Sequence, residues 1–164
     1  MENFEITEGK TRDFELKGIG NISYEKWYSN KVEVQLADGS IYKQEPYGFW
    51  GTRHNWVKEG KPVFEGRMTF WGKIIINPVK EPHHAYTLKH KGWNGGYVLE
   101  NYKGQEVAQI ISNFTWKSFR ANYTLTSIPG FTDTETGKLL ILLMSYHYRA
   151  MQRSGASMGV VAAS

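Results

Sequence analysis

The sequence predicts a mainly β fold, a closed antiparallel β-barrel of about 12 strands around a central, hydrophobic C-terminal α-helix. Three observations predict it. Short runs rich in Val, Ile, Tyr, Phe, Trp and Thr fill residues 13 to about 127, and most alternate apolar and polar positions with period two. Turn signals separate these runs, with no helical pattern between them. After them comes Lys138–Arg153, which has no Gly or Pro and is rich in Leu and Met.

In order, the candidate strands are Asp13–Gly18, Ile22–Tyr28, Lys31–Leu36, Ser40–Gln44, Tyr47–Trp50, Thr52–Val57, Lys61–Glu65, Arg67–Trp71, Lys73–Asn77, Ala85–Lys91, Tyr97–Asn101, Glu106–Ser112 and Phe119–Thr126, some of them merging. Val32, Val34 and Leu36 share one face while charged residues take the other. Asp38-Gly39 reads as a two-residue type I′ turn, because both residue types tolerate positive φ, and Glu59-Gly60 and Lys103-Gly104 sit between strands in the same way. The stretch Asn77-Pro78-Val-Lys-Glu-Pro82-His-His84 crosses one end of the barrel. It does not link two domains, since neither side alone is long enough for a good core. Phe14-Glu-Leu-Lys17-Gly18 is faintly similar to Tyr86-Thr-Leu-Lys89-His-Lys-Gly92, a pattern short enough to recur by chance.

The helix is expected over about residues 138–153. Leu139 to Met144 are apolar over a full circuit at 100° per residue, so this segment must be buried on every side and runs inside the barrel. Sixteen residues rise about 24 Å, comparable to the height of a barrel of short tilted strands. Residues 154–164 follow as a tail of small residues, and the whole chain, 1–164, reads as one domain.

Composition narrows the chemistry. The chain holds no Cys, which excludes disulfide scaffolds, thiolate metal sites and cysteine nucleophiles. Net charge is +4, with −3 on residues 1–16 and +5 on residues 17–138, and no polybasic cluster of the kind nucleic-acid binders carry. The acidic start lacks the pattern of a secretory signal and no apolar run is long enough to span a bilayer, so a cytoplasmic location, peripheral to a membrane at most, is expected. No P-loop, dinucleotide fingerprint or nucleophile elbow is present. His54, His83, His84 and His90 lack metal-ligand spacing, because neighbours on a strand point to opposite faces, and His147 reads as a core or barrel-mouth histidine. Neither a metal nor a cofactor is expected. Glu25 with Glu33, and Glu59 with Glu65, could meet across hairpins but suit a solvated face.

The stretch from Tyr47 to Lys58, with Arg67, Phe70, Trp71 and Lys73, interleaves aromatic and basic residues as a membrane headgroup region, stacked bases or a carbohydrate would require. The favoured arrangement packs Phe49, Trp56, Phe70 and Trp71 around the helix and leaves the basic groups outside. Trp50, Arg53, Lys58, Arg67 and Lys73 are the candidate binding residues.

A meander of about twelve strands ending in Lys138-Leu-Leu-Ile-Leu-Leu-Met-Ser-Tyr-His-Tyr resembles the tubby C-terminal-like superfamily, which includes the LURP-one-related proteins and the phospholipid scramblases. The resemblance implies a twelve-stranded barrel closed around an apolar terminal helix. The phenylalanine-aspartate-glycine-type ending of tubby proteins and the cysteine-rich stretch of scramblases are both missing, so no phosphoinositide-binding residue is carried over. The expectation is a non-catalytic binding or scaffold domain meeting an anionic partner, a phospholipid headgroup or a protein, on its outer surface. A hollow calycin-like carrier of an apolar ligand, and an enzyme with a rim site using His54, His83 or His84, are the alternatives.

Overall fold

The computed structural model describes residues 1–8, 13–26, 31–47, 53–69, 72–91, 96–114 and 121–163. They form one antiparallel sheet of strands β1 (Glu2–Phe4), β2 (Ile6–Glu8), β3 (Phe14–Leu16), β4 (Gly20–Tyr24), β5 (Val32–Leu36), β6 (Ile41–Tyr47), β7 (Arg53–Lys58), β8 (Lys61–Met68), β9 (Ile74–Pro78), β10 (Tyr86–Lys91), β11 (Gly96–Glu100), β12 (Glu106–Phe114) and β13 (Ala121–Ser127). Each of β2 to β12 pairs with the next, and β1 pairs with β13. Only Glu5 separates β1 from β2, so the segment from Glu2 to Glu8 pairs with β13 through its first half and with β3 through its second. One bent N-terminal strand therefore closes the ring, which counts twelve strands in all.

This segment lies before residue 13, where the strands were expected to begin. Its alternation is real, with Phe4 and Ile6 packed against the core, but it is interrupted at Glu5 and rich in carboxylates, which masks it. Two expected breaks also vanish. Lys61–Glu65 and the start of Arg67–Trp71 are one strand, β8, continuous through Gly66, and the run from Tyr47 begins as the end of β6. The tight two-residue turn falls at Glu59-Gly60, both with positive φ (52° and 77°), whereas Asp38-Gly39 belongs to a longer turn in which Gly39 N–H donates to Leu36 O (2.9 Å). There, Asp38 Oδ1 accepts from Ser40 N–H (2.8 Å) and is held below its usual pKa by that bond.

The helix α1 spans Glu135–Ala163, longer at both ends than residues 138–153. Thr134 caps it, its Oγ1 accepting from Gly137 N–H at 3.0 Å. Gly137 reads as a stop in the sequence but sits in the first turn because a Cβ there would lie 1.7 Å from Phe131 O in the preceding 3-10 turn, Phe131–Asp133. At the other end the backbone stays helical through residues 154–163, which replaces the expected separate tail. Small Ala and Ser residues between Gly155 and Gly159 are compatible with continuing the helix.

Leu139, Leu140, Ile141, Leu142, Leu143 and Met144 are completely buried, packed within the ring and touching β4, β5 and β12. Alternate strand residues meet them, among them Leu16, Ile22, Val34, Ile76, Leu88, Ile110 and Leu125. The interior is thus helix and side chains. A hollow carrier loses the space it would need.

Candidate binding surface

An antiparallel meander sends successive connections to opposite ends of the barrel. The near end is where α1 begins. It carries the connections β3–β4, β5–β6, β7–β8, β9–β10 and β11–β12, together with the passage from β13 into α1. The far end, toward which α1 runs, carries β2–β3, β4–β5, β6–β7, β8–β9, β10–β11 and β12–β13.

Three of the five candidate residues meet at the far end. Trp56 and Phe64 face the core, which turns Arg53 and Arg67 outward, and these two stand directly opposite each other in the β7–β8 ladder. Both are exposed. Lys73 is exposed in the adjoining β8–β9 turn, where its N–H donates to Thr69 Oγ1 (3.2 Å) and its carbonyl accepts from Thr69 N–H (2.8 Å). Among the described residues none of the three makes an ion pair. Glu65, the nearest acid along β8, faces Asn55 and Asn77 instead. Trp50 lies outside the described residues, as do Phe49, Phe70 and Trp71, while Trp56 is fully buried as expected.

Lys58 is elsewhere. At the near end its Nζ donates to Glu135 Oε1 (2.6 Å) and sits 5.6 Å from the Tyr42 ring centroid, while Tyr42 Oη donates to the same Glu135 oxygen. Lys58 first, and Tyr42 second, hold the Glu135 carboxyl below its usual range. Burial and this carboxylate push the Tyr42 phenol up. Lys58 therefore fastens the start of the helix to the barrel wall and is no longer a free cation for a ligand. The adjoining groove of about 730 Å³ is lined by Asp38, Lys43, Glu45, Lys58 and Glu59, a mixture of signs with no bias toward anions.

Beneath Arg53 the interior turns polar. His54 Nδ1, Trp56 Nε1 and His147 Nε2 are buried with no hydrogen-bond partner among the described residues. Burial lowers the His54 pKa, and burial followed by the neighbouring His54 lowers that of His147 to about 3. Tyr146 packs edge-on against Trp56 (centroids 6.0 Å apart) and accepts a long hydrogen bond from Gln44 Nε2 (3.5 Å). These imidazoles are neutral at neutral pH, and no carboxylate among the described residues bonds to either. His84 lies at the near end, bonded to Glu81 (2.8 Å) and stacked on Tyr102 (4.3 Å). His54 and the His83-His84 pair therefore sit at opposite ends and cannot form one site. No group of three or more metal-ligating side chains occurs among the described residues.

No helix among the described residues is long and apolar enough to cross a membrane. Comparison of the chain with protein-family models, with curated proteins and with solved structures finds no match.

Proposed function

We propose that the protein is a non-catalytic binding domain of the tubby-like kind, whose far end engages anionic phospholipid headgroups. The observation that carries this reading is the outward Arg53–Arg67 pair with Lys73 beside it. Like charges directly opposite in a ladder are destabilising, and among the described residues no carboxylate forms an ion pair with either. Two adjacent guanidinium groups suit phosphate oxygens, which they can grip through paired N–H donors.

Flotation with vesicles tests the reading. At about 0.1 M salt the protein is expected to float with phosphatidylcholine vesicles containing phosphatidylserine and to stay behind with phosphatidylcholine alone, binding less as salt rises. Each basic residue near an anionic surface contributes about 1 kcal/mol, so replacing Arg53, Arg67 and Lys73 together by Ala should weaken binding roughly 100-fold. Equal recovery with both vesicle types, or none with either, would overturn it.

A further inference from the structure

Beneath Arg53 the wall of the barrel leaves a space that no side chain fills. His54 and Trp56 share the inward face of β7, two residues apart and so about 7 Å from Cα to Cα. The residue opposite His54 in the β7–β8 ladder is the buried Gly66, which brings no side chain to the interior. A Cβ built there would have His54 O at 3.9 Å and Trp56 Nε1 at 4.0 Å as its nearest described neighbours. The space above Gly66 is therefore open, with the indole N–H at its edge. From the helix, His147 comes close enough to His54 for the second ring to oppose protonation of the first.

Trp56 Nε1, His54 Nδ1 and His147 Nε2 are buried here with no partner among the described residues. Buried polar groups are normally bonded, because an unmet donor forfeits the water it left. Apolar rings at 54 and 147 would have closed this end without that cost, and a glycine inside a strand marks the close approach of something other than a side chain. Trp56 is fully buried, whereas both histidines keep part of their surface exposed, so the space is recessed but reached from the far mouth. Its surroundings carry positive charge. Arg53 and Arg67 stand on the outer face, and Arg149, further along α1, lies 4.7 Å from the Phe14 ring centroid and donates to Tyr123 Oη (3.1 Å). Gln44 and Tyr146 beside Trp56, and Pro46 opposite His54, are uncharged. The acids turn elsewhere: Glu45 and Glu65 face outward, and Asp13 accepts from Tyr24 N–H (3.0 Å).

From this geometry we infer that the far mouth holds a recessed site for a single oxyanion, a phosphate- or sulfate-sized group seated over Gly66 and held by Trp56, His54 and His147. An indole N–H only donates, so its partner must be an acceptor, and each neutral imidazole gains a second donor by taking up a proton. Binding therefore draws protons onto rings that burial keeps neutral, and it strengthens as pH falls. The site goes beyond the proposed function, since it needs no bilayer. The group it takes can belong to a lipid headgroup or to a free anion.

The test follows the imidazole resonances of the full chain by NMR in sodium sulfate and in sodium chloride of equal ionic strength. Sulfate should raise the titration midpoints of His54 and His147 by about one pH unit over chloride, a tenfold preference for the protonated rings, and should move the Trp56 indole N–H signal. Gly66→Ala keeps all three nitrogens and fills the space beside them, so it should weaken sulfate binding about tenfold. His54→Phe keeps an aromatic ring, should have the same effect, and serves if the alanine variant does not fold. Vesicles of phosphatidylcholine and phosphatidylserine identify the source of the group. If a headgroup enters, vesicle binding tightens about tenfold between pH 7.5 and 6.0 in the wild type and not in His54→Phe. Sulfate binding without that change assigns the site to a soluble anion, and if no vesicle binds at all it also overturns the proposed function. Histidine midpoints that sulfate leaves unmoved, as for a space holding water alone, or that move equally in Gly66→Ala, would overturn the site and leave anionic lipid binding at the surface standing.

Discussion

Acid should loosen this barrel in a pH range where few carboxylates titrate, and His147 is the reason. Its Nε2 is buried with no partner among the described residues, and burial, then His54, holds its pKa down at about 3 against 6.5 for a free imidazole. The unfolded chain therefore takes up a proton that the folded chain refuses. Stability is fully present above pH 6.5 and declines as pH falls toward the folded pKa. At pH 5 the unfolded imidazole lies about 1.5 units below its pKa, which at roughly 1.4 kcal/mol per unit sets a ceiling of about 2 kcal/mol. Part of the His147 residue still reaches the surface, so a loss of about 1 kcal/mol is the better expectation. His54, lowered by burial, pulls in the same direction. Urea denaturation at pH 7.5, 6.0 and 5.0 reads this directly, and a loss of that size moves a thermal midpoint of a chain this long by about 2–4 °C. His147→Gln keeps a polar group of similar size and removes the titration, so its stability should change less between pH 7.5 and 5.0. A wild-type stability that is flat over this range, or a variant with the same slope, would refute the assignment of a buried neutral imidazole.

Two further predictions concern the start of the helix. Glu135→Ala removes the acceptor shared by Lys58 and Tyr42; because the ion pair is partly exposed, the expected loss is about 1 kcal/mol, measured by urea denaturation, and Lys58→Ala should add little in the double variant. Gly137→Ala ought to reverse the usual rule. In an open helix the change stabilises by up to about 1 kcal/mol, but here the new Cβ would meet Phe131 O at 1.7 Å, so a lowered thermal midpoint is expected and a raised one would show that the 3-10 turn yields freely.

Most of the barrel wall is legible in the sequence because each strand has one face toward the helix, and period two records that face. Val32, Val34 and Leu36 are read without ambiguity, whereas the unbroken run Ile74-Ile75-Ile76 shows a strand but not which face is buried. The all-round apolar run Leu139–Met144 gives the position of the helix for the same reason. The barrel was expected to be closed, but the strand that closes it was not legible, since it is split at Glu5 and its two halves pair with strands from opposite ends of the chain. The helix start was obscured by Gly137, whose cause is a contact with Phe131 and not a preference of the helix itself.

The candidate surface depended on something less visible, the parity of the strand count. Every break inserted into a meander moves the following connection to the other end of the barrel. Taking Tyr47–Trp50 as a strand of its own sends the chain after Trp50 to the end opposite Trp27, and dividing β8 at Gly66 adds a turn that does not exist. Under that count the aromatic residues look scattered, and packing around the helix is the natural place for them. With β6 ending at Tyr47 and β8 running unbroken to Met68, Arg53 at the start of β7, Arg67 near the end of β8 and Lys73 just before β9 come to one end. The described interior is furnished by other aromatics, chiefly Phe14, Tyr42, Trp56, Phe64, Tyr97 and Tyr148. Among the described residues the core is therefore filled with Trp56 as its one tryptophan, while the described cations Arg53, Arg67 and Lys73 stay on the outside of the wall.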